Sequence, residues 1–401
     1  MVQMPELPVS VLPASIDPFA EPPHIGQLRQ EVAAVCSRFP DPYWRDLDAR
    51  RDYPEAFVAA LTEGGWLNIL IPTEYGGGGL GLNEAAAVLA EINHQGGNAG
   101  PAHAQMYIMG TLLRYGSDEQ KQRYLPRIAS GELRLQAFGV TEPDAGSDTT
   151  SITTTATRHG DVFIIRGRKI YISRVQHSDL MLLLARTAPR DERQPTAGLS
   201  VFLVDLRVAG DRVRCRPLRM MMNNETNEVE IDDLEVPAEN LVGVEGEGFR
   251  HIIDGWNAER ILIAAECIGD GRWFVERASA YATDRVVFGR PIGSNQGVQF
   301  PIASAHAHLE AADLVRRRAT ARFDAGLPCG PDANMAKYLA ADASWAAANA
   351  CVDTFGGHGF NAEHDIERKF RETRLYRVAP ISNNLVLAYI GHRVLGMPRS
   401  Y

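Results

Sequence analysis

The chain has 401 residues, of which 45% are hydrophobic and 23% are charged, and its formal net charge is −9. This composition is typical of a globular protein that is long enough for two or three domains with their own cores. The acidic balance argues against a nucleic-acid-binding protein, which carries a basic patch, and no apolar run is long enough to predict a membrane span.

The N-terminal segment, residues 1–25, contains six prolines and neither Lys nor Arg. It lacks the basic start and continuous apolar core of a signal peptide, and it lacks the arginines of a mitochondrial transit peptide. The five cysteines form no CxxC pair, which favours reduced thiols in a reducing compartment. We therefore expect an extended, Pro-rich N-terminal extension on a cytoplasmic protein.

Residues 26–136 are predicted to form a helical domain. The segments 84–92 and 105–115 are apolar runs of the composition that helices favour. The segment 74–80 carries four consecutive glycines, which predicts a loop between two helices.

Residues 137–245 change to the pattern that is typical of β-strands. Short β-rich runs are predicted at 162–166, 169–173, 181–185, 199–205 and 228–236. Gly167 is expected to turn the chain between the first two of these runs. Short strands separated by turn residues predict a small antiparallel sandwich or barrel.

Residues 246–401 return to the helical pattern. Apolar residues recur at three- and four-residue spacing over 249–283, 303–325 and 334–354. The length of these segments predicts a C-terminal domain that resembles a four-helix bundle. The expected fold class is therefore α+β multidomain, in the order helical, β, helical.

The segment 138–148 reads Phe-Gly-Val-Thr-Glu-Pro-Asp-Ala-Gly-Ser-Asp and combines small residues, backbone amides and hydroxyls. A loop of this kind suits a phosphate or a flavin, although a lone Gly-Ser-Asp is usually only a polar turn. Further motifs follow at 169–173, 234–237, 246–249, 284–292, 353–360 and 367–374. Together, in this order and spacing, they resemble the acyl-CoA dehydrogenase family over residues 26–401.

The resemblance implies FAD as the cofactor. It places Phe138, Val140 and Thr141 along the isoalloxazine ring, and it places Ser147 at the flavin phosphate or the CoA moiety. Further positions that match flavin-facing residues of the family are Gln296, Asp353, Gly357, Ser382 and Asn384. Asp353 stands where Gln or Glu is usual, and an acid is unfavourable near a pyrophosphate unless it faces ribose or a cation.

Two further positions carry conservative changes from the family pattern. Tyr171 occupies a position that is usually Trp, and Ser173 one that is usually Thr. The Ser173 hydroxyl is able to donate a hydrogen bond to flavin N5. Tyr171 keeps an aromatic lid over the cofactor, unless its ring only packs in the core.

Arg285 and Phe288 match positions that reach the flavin of a neighbouring subunit. A guanidinium suits a pyrophosphate because its fork donates two hydrogen bonds at once. The resemblance therefore implies an obligate homodimer or homotetramer, and the alternative for Arg285 is an ordinary surface salt bridge.

The catalytic base is expected at an unusual position. In most relatives the Glu follows the second signature, but this chain has Pro380 there, which cannot accept a proton. Isovaleryl- and long-chain-acyl-CoA dehydrogenases carry the Glu on a helix directly before an Arg, and Glu259 and Arg260 match that arrangement. The alternative for Glu259 is a solvated helix face. Pro380 also lacks the N–H that polarises the thioester in relatives, so either another amide or the flavin ribityl hydroxyl would serve.

Substrate contacts are expected from Ser147, Trp256, Asn257 and Arg260. Trp256 lies three residues before Glu259 and should be its neighbour on one helix face. Its indole would exclude water from the carboxylate and restrict the acyl chain, or it would only pack the helix against a neighbour.

The expected function is α,β-dehydrogenation of an acyl-CoA to the trans-2-enoyl-CoA, with electrons passed to an electron-transfer flavoprotein. The alternatives are a flavin monooxygenase or oxidase on the same fold, or a non-catalytic scaffold. No metal is expected, because His103, His358 and His364 have no second-ligand spacing. His103 in particular is expected to be a packed or exposed histidine.

Overall fold

The computed structural model describes residues 21–400. The extended leader that the sequence predicts therefore lies largely outside the described residues. Helix α1 begins at Pro23, inside the predicted leader, and Ile25 is already buried in the core.

The N-terminal region consists of six helices, as the sequence predicts. They are α1 Pro23–Cys36, α2 Asp41–Arg50, α3 Glu55–Glu63, α4 Leu82–His94, α5 Gly100–Tyr115 and α6 Asp118–Ala129. The glycine-rich loop before α4 folds back on the preceding segment. A Cβ at Gly77 would lie 2.2 Å from the Ile71 carbonyl oxygen, so only glycine allows this approach.

The middle region is one eight-stranded sheet. Its strands are β1 Leu135–Gly139, β2 Thr155–His159, β3 Val162–Ser173, β4 Leu180–Arg186, β5 Leu199–Asp205, β6 Val213–Pro217, β7 Thr226–Pro237 and β8 Leu241–Val242. The order is β6-β7-β3-β2-β4-β5-β8, with β1 beside β4. Most pairs are antiparallel, but β1 and β2 each pair with β4 in parallel.

The prediction that Gly167 turns the chain is wrong. Residues 162–173 form the single strand β3, which stays paired with β7 through two register shifts. A Cβ at Gly167 would lie 2.2 Å from Thr154 Oγ1. Glycine is therefore required in β3 because the segment before β2 comes so close to it. Glycine often indicates a turn, but here it lies in an irregular part of a strand.

The C-terminal region is again helical. It contains α7 Gly248–Asp284, the small hairpin β9 Val286–Val287 and β10 Arg290–Pro291, α8 Gln296–Asp324, α9 Gly330–Phe355, α10 Ile366–Arg374 and α11 Asn383–Tyr389. Helix α8 begins seven residues before the predicted start, and it contains Pro301 at its sixth position.

The two helical regions share a core. Buried residues of α1, α4 and α5 form one apolar cluster with buried residues of α7, α8 and α9. Helix α7 approaches α4 so closely that a Cβ at Gly269 would lie 2.2 Å from the Ala90 carbonyl oxygen. The predicted order of helical, β and helical regions is confirmed. Among residues 21–400, no helix is long and apolar enough to cross a membrane.

Candidate active site

Glu259 is the twelfth residue of α7 and is buried, with 6% of its surface exposed. The alternative that Glu259 lies on a solvated helix face is therefore wrong. Burial raises the pKa of its carboxyl from 4.5 to about 7, although the positive charges of His103, Arg260 and Lys337 act in the opposite direction. No hydrogen bond to the Glu259 carboxylate is found within the described part of the chain. A buried carboxyl that titrates near neutral pH is suited to accept a proton.

Arg260 is the next residue on the helix, and its guanidinium is largely buried. Its Nη1 donates a hydrogen bond to Asn257 Oδ1 at 3.2 Å, while its buried Nε has no hydrogen-bond partner in the described residues. Burial lowers the pKa of Arg260 from 12.5. Asn257 thus orients the guanidinium, which adds positive potential beside Glu259 without forming an ion pair that would hold the carboxylate.

The loop of residues 140–153 is anchored by a buried ion pair. Glu142 accepts hydrogen bonds from Thr153 and Thr154 and contacts Lys169 Nζ at 2.9 Å. Burial raises the pKa of Glu142, but Lys169 and the threonine donors lower it to about 2. Burial lowers the pKa of Lys169 to about 8, and its Nζ also donates to the Val140 carbonyl at 3.0 Å. The loop is therefore fixed to β3.

A backbone hydrogen bond holds β3 beside the loop that follows β1. These two segments carry five residues that the resemblance assigns to the flavin, namely Phe138, Val140, Thr141, Tyr171 and Ser173. The Ile170 N–H donates to the Thr141 carbonyl at 2.9 Å, which places the loop that follows β1 beside the end of β3. Tyr171 has a φ of 61° in the irregular part of β3, and its side chain projects from the sheet with 58% of the residue exposed. The alternative that the Tyr171 ring only packs in the core is therefore wrong.

Ser173 lies at the end of β3. Its Oγ accepts a hydrogen bond from Asn224 Nδ2 at 2.9 Å and lies 3.3 Å from Thr226 Oγ1. A serine hydroxyl that already accepts a bond keeps its proton for donation. This is the capacity that hydrogen bonding to a flavin ring nitrogen requires.

Phe138 and Tyr107 connect this edge of the sheet with Glu259. The two rings lie 6.3 Å apart, and the burial that raises the pKa of Tyr107 is reinforced by the charge of Glu259. Trp256, one helical turn before Glu259, is half-buried against the same apolar cluster as Phe138, and its ring meets that of Phe249 edge-on at 6.0 Å. Trp256 therefore has a packing role, and its place beside the base remains compatible with a role in the acyl site.

A second group of predicted residues lies at the far end of α7. Arg285 directly follows this helix, and 26 residues separate it from Glu259, a distance of about 39 Å at the rise of an α-helix. Phe288 is 101% exposed on the hairpin, while Asp353 and Gly357 lie on the exposed surface around the end of α9. These residues do not meet the base within one chain.

Within residues 21–400, Arg285 forms no ion pair, contrary to the ordinary surface salt bridge considered from the sequence. Gln296 is exposed at the first position of α8, just after the hairpin. Exposed residues at this place, far from the base of their own chain, are what a contribution to the cofactor site of a neighbouring subunit would require.

Lys337 connects the loop that contains Pro380 with the base, because its charge acts on Glu259 and its side chain bonds to the loop. Lys337 Nζ donates to the Ile381 carbonyl and to Asn383 Oδ1, each at 2.7 Å. Ser382 caps α11 by accepting from the Leu385 N–H, and Asn384 is exposed in the first turn.

Residues 379 and 380 offer no amide to a thioester. The Ala379 N–H already donates to the Leu375 carbonyl at 2.9 Å, and proline has none. Ser147 is exposed on the loop after β1.

Sequence reasoning missed four residues around Glu259, namely Tyr107, Lys337, His103 and Glu266. His103 is packed in the core, 7% exposed, as one of the two expectations had it, and its Nδ1 lies 2.5 Å from Glu266 Oε1. The four-residue spacing of His103 and Tyr107 in an otherwise apolar helix was the signal that could have found them. Among the described residues, no group of three or more His, Cys, Asp or Glu could hold a metal ion.

Comparisons with known proteins place the chain in one family over most of its length. Residues 23–132, 137–234 and 246–395 match, respectively, the N-terminal, middle and C-terminal domain families of acyl-CoA dehydrogenase. The acyl-CoA dehydrogenase fadE12 of Mycobacterium bovis is 36% identical over 379 residues, which cover 93% of this chain and 96% of that protein.

Two solved structures show the same fold. The glutaryl-coenzyme A dehydrogenase complex with glutaryl-CoA has a TM-score of 0.88 and 30% identity, covering 95% of this chain and 98% of that chain. A chain in a structure of the electron transferring flavoprotein of Acidaminococcus fermentans has a TM-score of 0.87 and 29% identity, covering 94% of this chain and 99% of that chain.

Proposed function

The chain belongs to the acyl-CoA dehydrogenase family, and from that membership we propose that it oxidises an acyl-CoA thioester to the trans-2-enoyl-CoA, with FAD as cofactor and Glu259 as base. The observation that carries the proposal is the buried Glu259 carboxyl, whose pKa is raised by burial to about 7. A base with this pKa is partly ionised at neutral pH and still holds a proton strongly once it has taken it.

Glu259 removes the proton from the α-carbon of the thioester. Helix α7 holds the carboxylate in place, and its burial restricts the water around it. Arg260, one residue further, favours the ionised form of the base. Bound FAD supplies the acceptor for the hydride that leaves the β-carbon.

The residues at this edge of the sheet fit a flavin by their chemistry. Phe138 and Tyr171 offer aromatic surfaces, and Thr141 and Ser173 offer hydroxyls along the same edge of the sheet. Tyr171 is exposed although it is a large aromatic residue, which suits a position that a planar ligand covers. The loop beneath these residues is already anchored by Glu142 and cannot easily move away.

The functional unit in this proposal is a homodimer or homotetramer. Arg285 and Phe288 lie about 39 Å along α7 from the base of their own chain, and they contribute to the cofactor site of a neighbouring subunit. Gln296, Asp353 and Gly357 belong to the same distant group. Ser382 and Asn384 contribute from the loop near Lys337, and Ser147 contacts the flavin phosphate or the CoA moiety.

The electrons leave the reduced enzyme for an electron-transfer flavoprotein. The likeness to a chain in a structure of such a flavoprotein from Acidaminococcus fermentans supports this choice of partner. Transfer to such a flavoprotein is what separates the proposed dehydrogenase from a flavin monooxygenase or oxidase on the same fold, in which oxygen takes the electrons.

The test is anaerobic reduction of the flavin by a panel of acyl-CoAs of increasing chain length and branching, in the wild type and in Glu259→Gln. Glutamine has nearly the same shape but cannot take the proton, so the variant is expected to keep FAD and lose reduction by at least a thousandfold, on the order of a lost general base. The matched control is Glu276→Gln, an exposed position on the same helix, which is expected to react like the wild type.

Reduction of Glu259→Gln at close to the wild-type rate would show that another group is the base. Rapid reoxidation of the reduced wild type by air, without a dye or flavoprotein acceptor, would favour the monooxygenase or oxidase. A purified protein without flavin would favour a scaffold.

A further inference from the structure

A charged pair that the reaction proposed above does not use lies beside Ser173. Arg174 directly follows β3, and Glu225 directly precedes β7. Their side chains are 7% and 8% exposed, and Arg174 Nε lies 3.4 Å from Glu225 Oε2. The Arg174 N–H also donates to the Glu225 carbonyl at 3.0 Å. The backbone and the charges therefore both join these two strand ends.

Both residues of this pair have an unusual backbone conformation. Arg174 has a φ of 61° and Glu225 a φ of 42°, in the left-handed region that residues with long side chains rarely occupy. The start of α5 also confines the guanidinium, since a Cβ at Gly100 would lie 2.3 Å from Arg174 Nη2. Residues other than glycine keep such a conformation only where their surroundings fix it, and these places are often functional.

The fixed guanidinium determines how the Asn224 amide is oriented. Arg174 Nη2 donates to Asn224 Oδ1. An arginine side chain has only donors, so the amide oxygen of Asn224 must face it and the amide NH₂ must face away from it. That NH₂ group donates to Ser173 Oγ at 2.9 Å. Without the guanidinium, the amide would be free to turn over in the same space and to present its oxygen to Ser173.

The direction of this hydrogen bond decides which acceptor the Ser173 proton can reach. A hydroxyl that accepts from an amide NH₂ keeps its own proton for another acceptor, whereas a hydroxyl beside an amide oxygen donates to that oxygen. A further acceptor, Thr226 Oγ1, lies 3.3 Å from Ser173 Oγ, which is longer than the usual O–H···O distance of about 2.8 Å. The orientation of Asn224 thus leaves the Ser173 proton available to a ligand.

We propose that Asn224, with its amide oriented by Arg174, is a positioning residue that leaves the Ser173 hydroxyl free to donate to a ring nitrogen of the bound flavin. This role rests on the proposed function, which places Ser173 along the flavin. Asn224 and Arg174 act through the Ser173 proton and need no contact with the cofactor. Glu225 supplies the opposite charge that holds the guanidinium where little water reaches it.

The test is a double-mutant cycle of Asn224→Asp and Ser173→Ala in the flavin-loaded protein. Aspartate has nearly the shape of asparagine and still accepts from Arg174, but its second oxygen only accepts and so takes the Ser173 proton. One readout is the position of the visible absorption band of the oxidised flavin, because hydrogen bonds to the ring nitrogens tune its electronic structure. The other is the rate constant of anaerobic flavin reduction by an acyl-CoA.

Ser173→Ala and Asn224→Asp are each expected to slow flavin reduction about tenfold, the effect of one lost hydrogen bond. Both should shift the absorption band in the same direction. Once the Ser173 hydroxyl is gone, Asn224→Asp should slow reduction by less than about twofold more and leave the band in place. Arg174→Met is expected to resemble Asn224→Asp.

The matched control is Arg168→Met. Arg168 pairs with Glu228 across the same two strands, β3 and β7. Its loss removes an arginine–glutamate pair from this sheet without removing the donor to Asn224. The variant is therefore expected to have the absorption band and the reduction rate of the wild type.

An absorption band and rate like those of the wild type in Asn224→Asp or in Ser173→Ala would overturn the proposal. An equal effect of Asn224→Asp with and without the Ser173 hydroxyl would also overturn it, because the new charge would then act directly. Wild-type behaviour of Arg174→Met would overturn the part played by Arg174. If Arg174→Met does not retain flavin, Arg174→Gln replaces it, since a glutamine amide both donates and accepts and does not fix Asn224.

Glu259→Gln in the same series separates this proposal from the proposed function. Reduction of Glu259→Gln at the wild-type rate would overturn the assignment of the base, while the absorption bands of the cycle would still report on Ser173. Loss of reduction in Glu259→Gln, together with independent effects of Asn224→Asp and Ser173→Ala, would overturn only the role of Asn224.

Discussion

Glu259→Gln is expected to make the folded protein more stable at neutral and alkaline pH. The pKa of Glu259 is about 7 in the folded protein against 4.5 for an exposed glutamate, so the folded state holds this proton more tightly than the unfolded state. Stability contributed by the protonated group is complete below pH 4.5 and is lost as the pH rises through 7. The full loss amounts to about 3 kcal/mol, at 1.36 kcal/mol for each pKa unit.

Glutamine has a similar volume and does not ionise, so the variant does not lose stability as the pH rises. The difference in the free energy of unfolding, variant minus wild type, is therefore expected to grow by about 2 kcal/mol between roughly pH 5.5 and pH 8. Urea denaturation of the flavin-loaded proteins at several pH values measures it, with Glu276→Gln as the exposed control.

Parallel pH profiles for Glu259→Gln and the wild type would refute the reasoning, because they would mean that burial does not shift the pKa of this group. A variant that is less stable than the wild type at every pH would show that Glu259 makes stabilising contacts that glutamine cannot replace. Either result would remove the buried, near-neutral carboxyl on which the proposed function depends.

Two further predictions concern the cofactor and the acyl site. Arg285→Ala is expected to weaken FAD retention at least tenfold while leaving the subunits folded, whereas Arg290→Ala on the same hairpin should retain the flavin. Flavin absorbance after gel filtration, combined with light scattering, measures flavin content and oligomeric state. A stable flavin-loaded monomer would contradict the subunit-bridging role of Arg285. Trp256→Leu is expected to shift preference towards longer or more branched acyl-CoAs, with a stability loss of about 1 kcal/mol from the lost contact with Phe249. An unchanged substrate profile with a lower melting temperature would leave Trp256 only a packing role.

The sequence by itself determined the order of the three regions, and it supplied the proposal that Glu259 is the base. Long helices such as α7 have apolar residues at helical spacing, and this local pattern survives whatever the helix packs against. Glu259 is proposed because the resemblance to the family places the usual base at Pro380, which cannot accept a proton, and matches Glu259 and Arg260 to the helix arrangement of some relatives. The same holds for the loop of residues 138–148, whose small and hydroxyl-bearing residues indicate a ligand.

Tertiary structure alone decided which side chains meet. Gly167 was predicted to turn the chain because glycine often does so. Glycine is required at this position because Thr154, thirteen residues earlier and directly before β2, approaches it too closely for a side chain. His103 and Glu266 are far apart in sequence, on α5 and α7, and come within 2.5 Å only because these two helices pack together.

The burial of Glu259 was decided in the same way. Its position on α7 follows from the sequence, but its pKa depends on the water that the surrounding helices exclude and on charges from α5 and α9. Contacts between distant segments are set by the packing of whole elements, for which a local pattern contains no signal. The sequence therefore proposes Glu259 as the base, and the packing around this residue determines the proton affinity of its carboxyl.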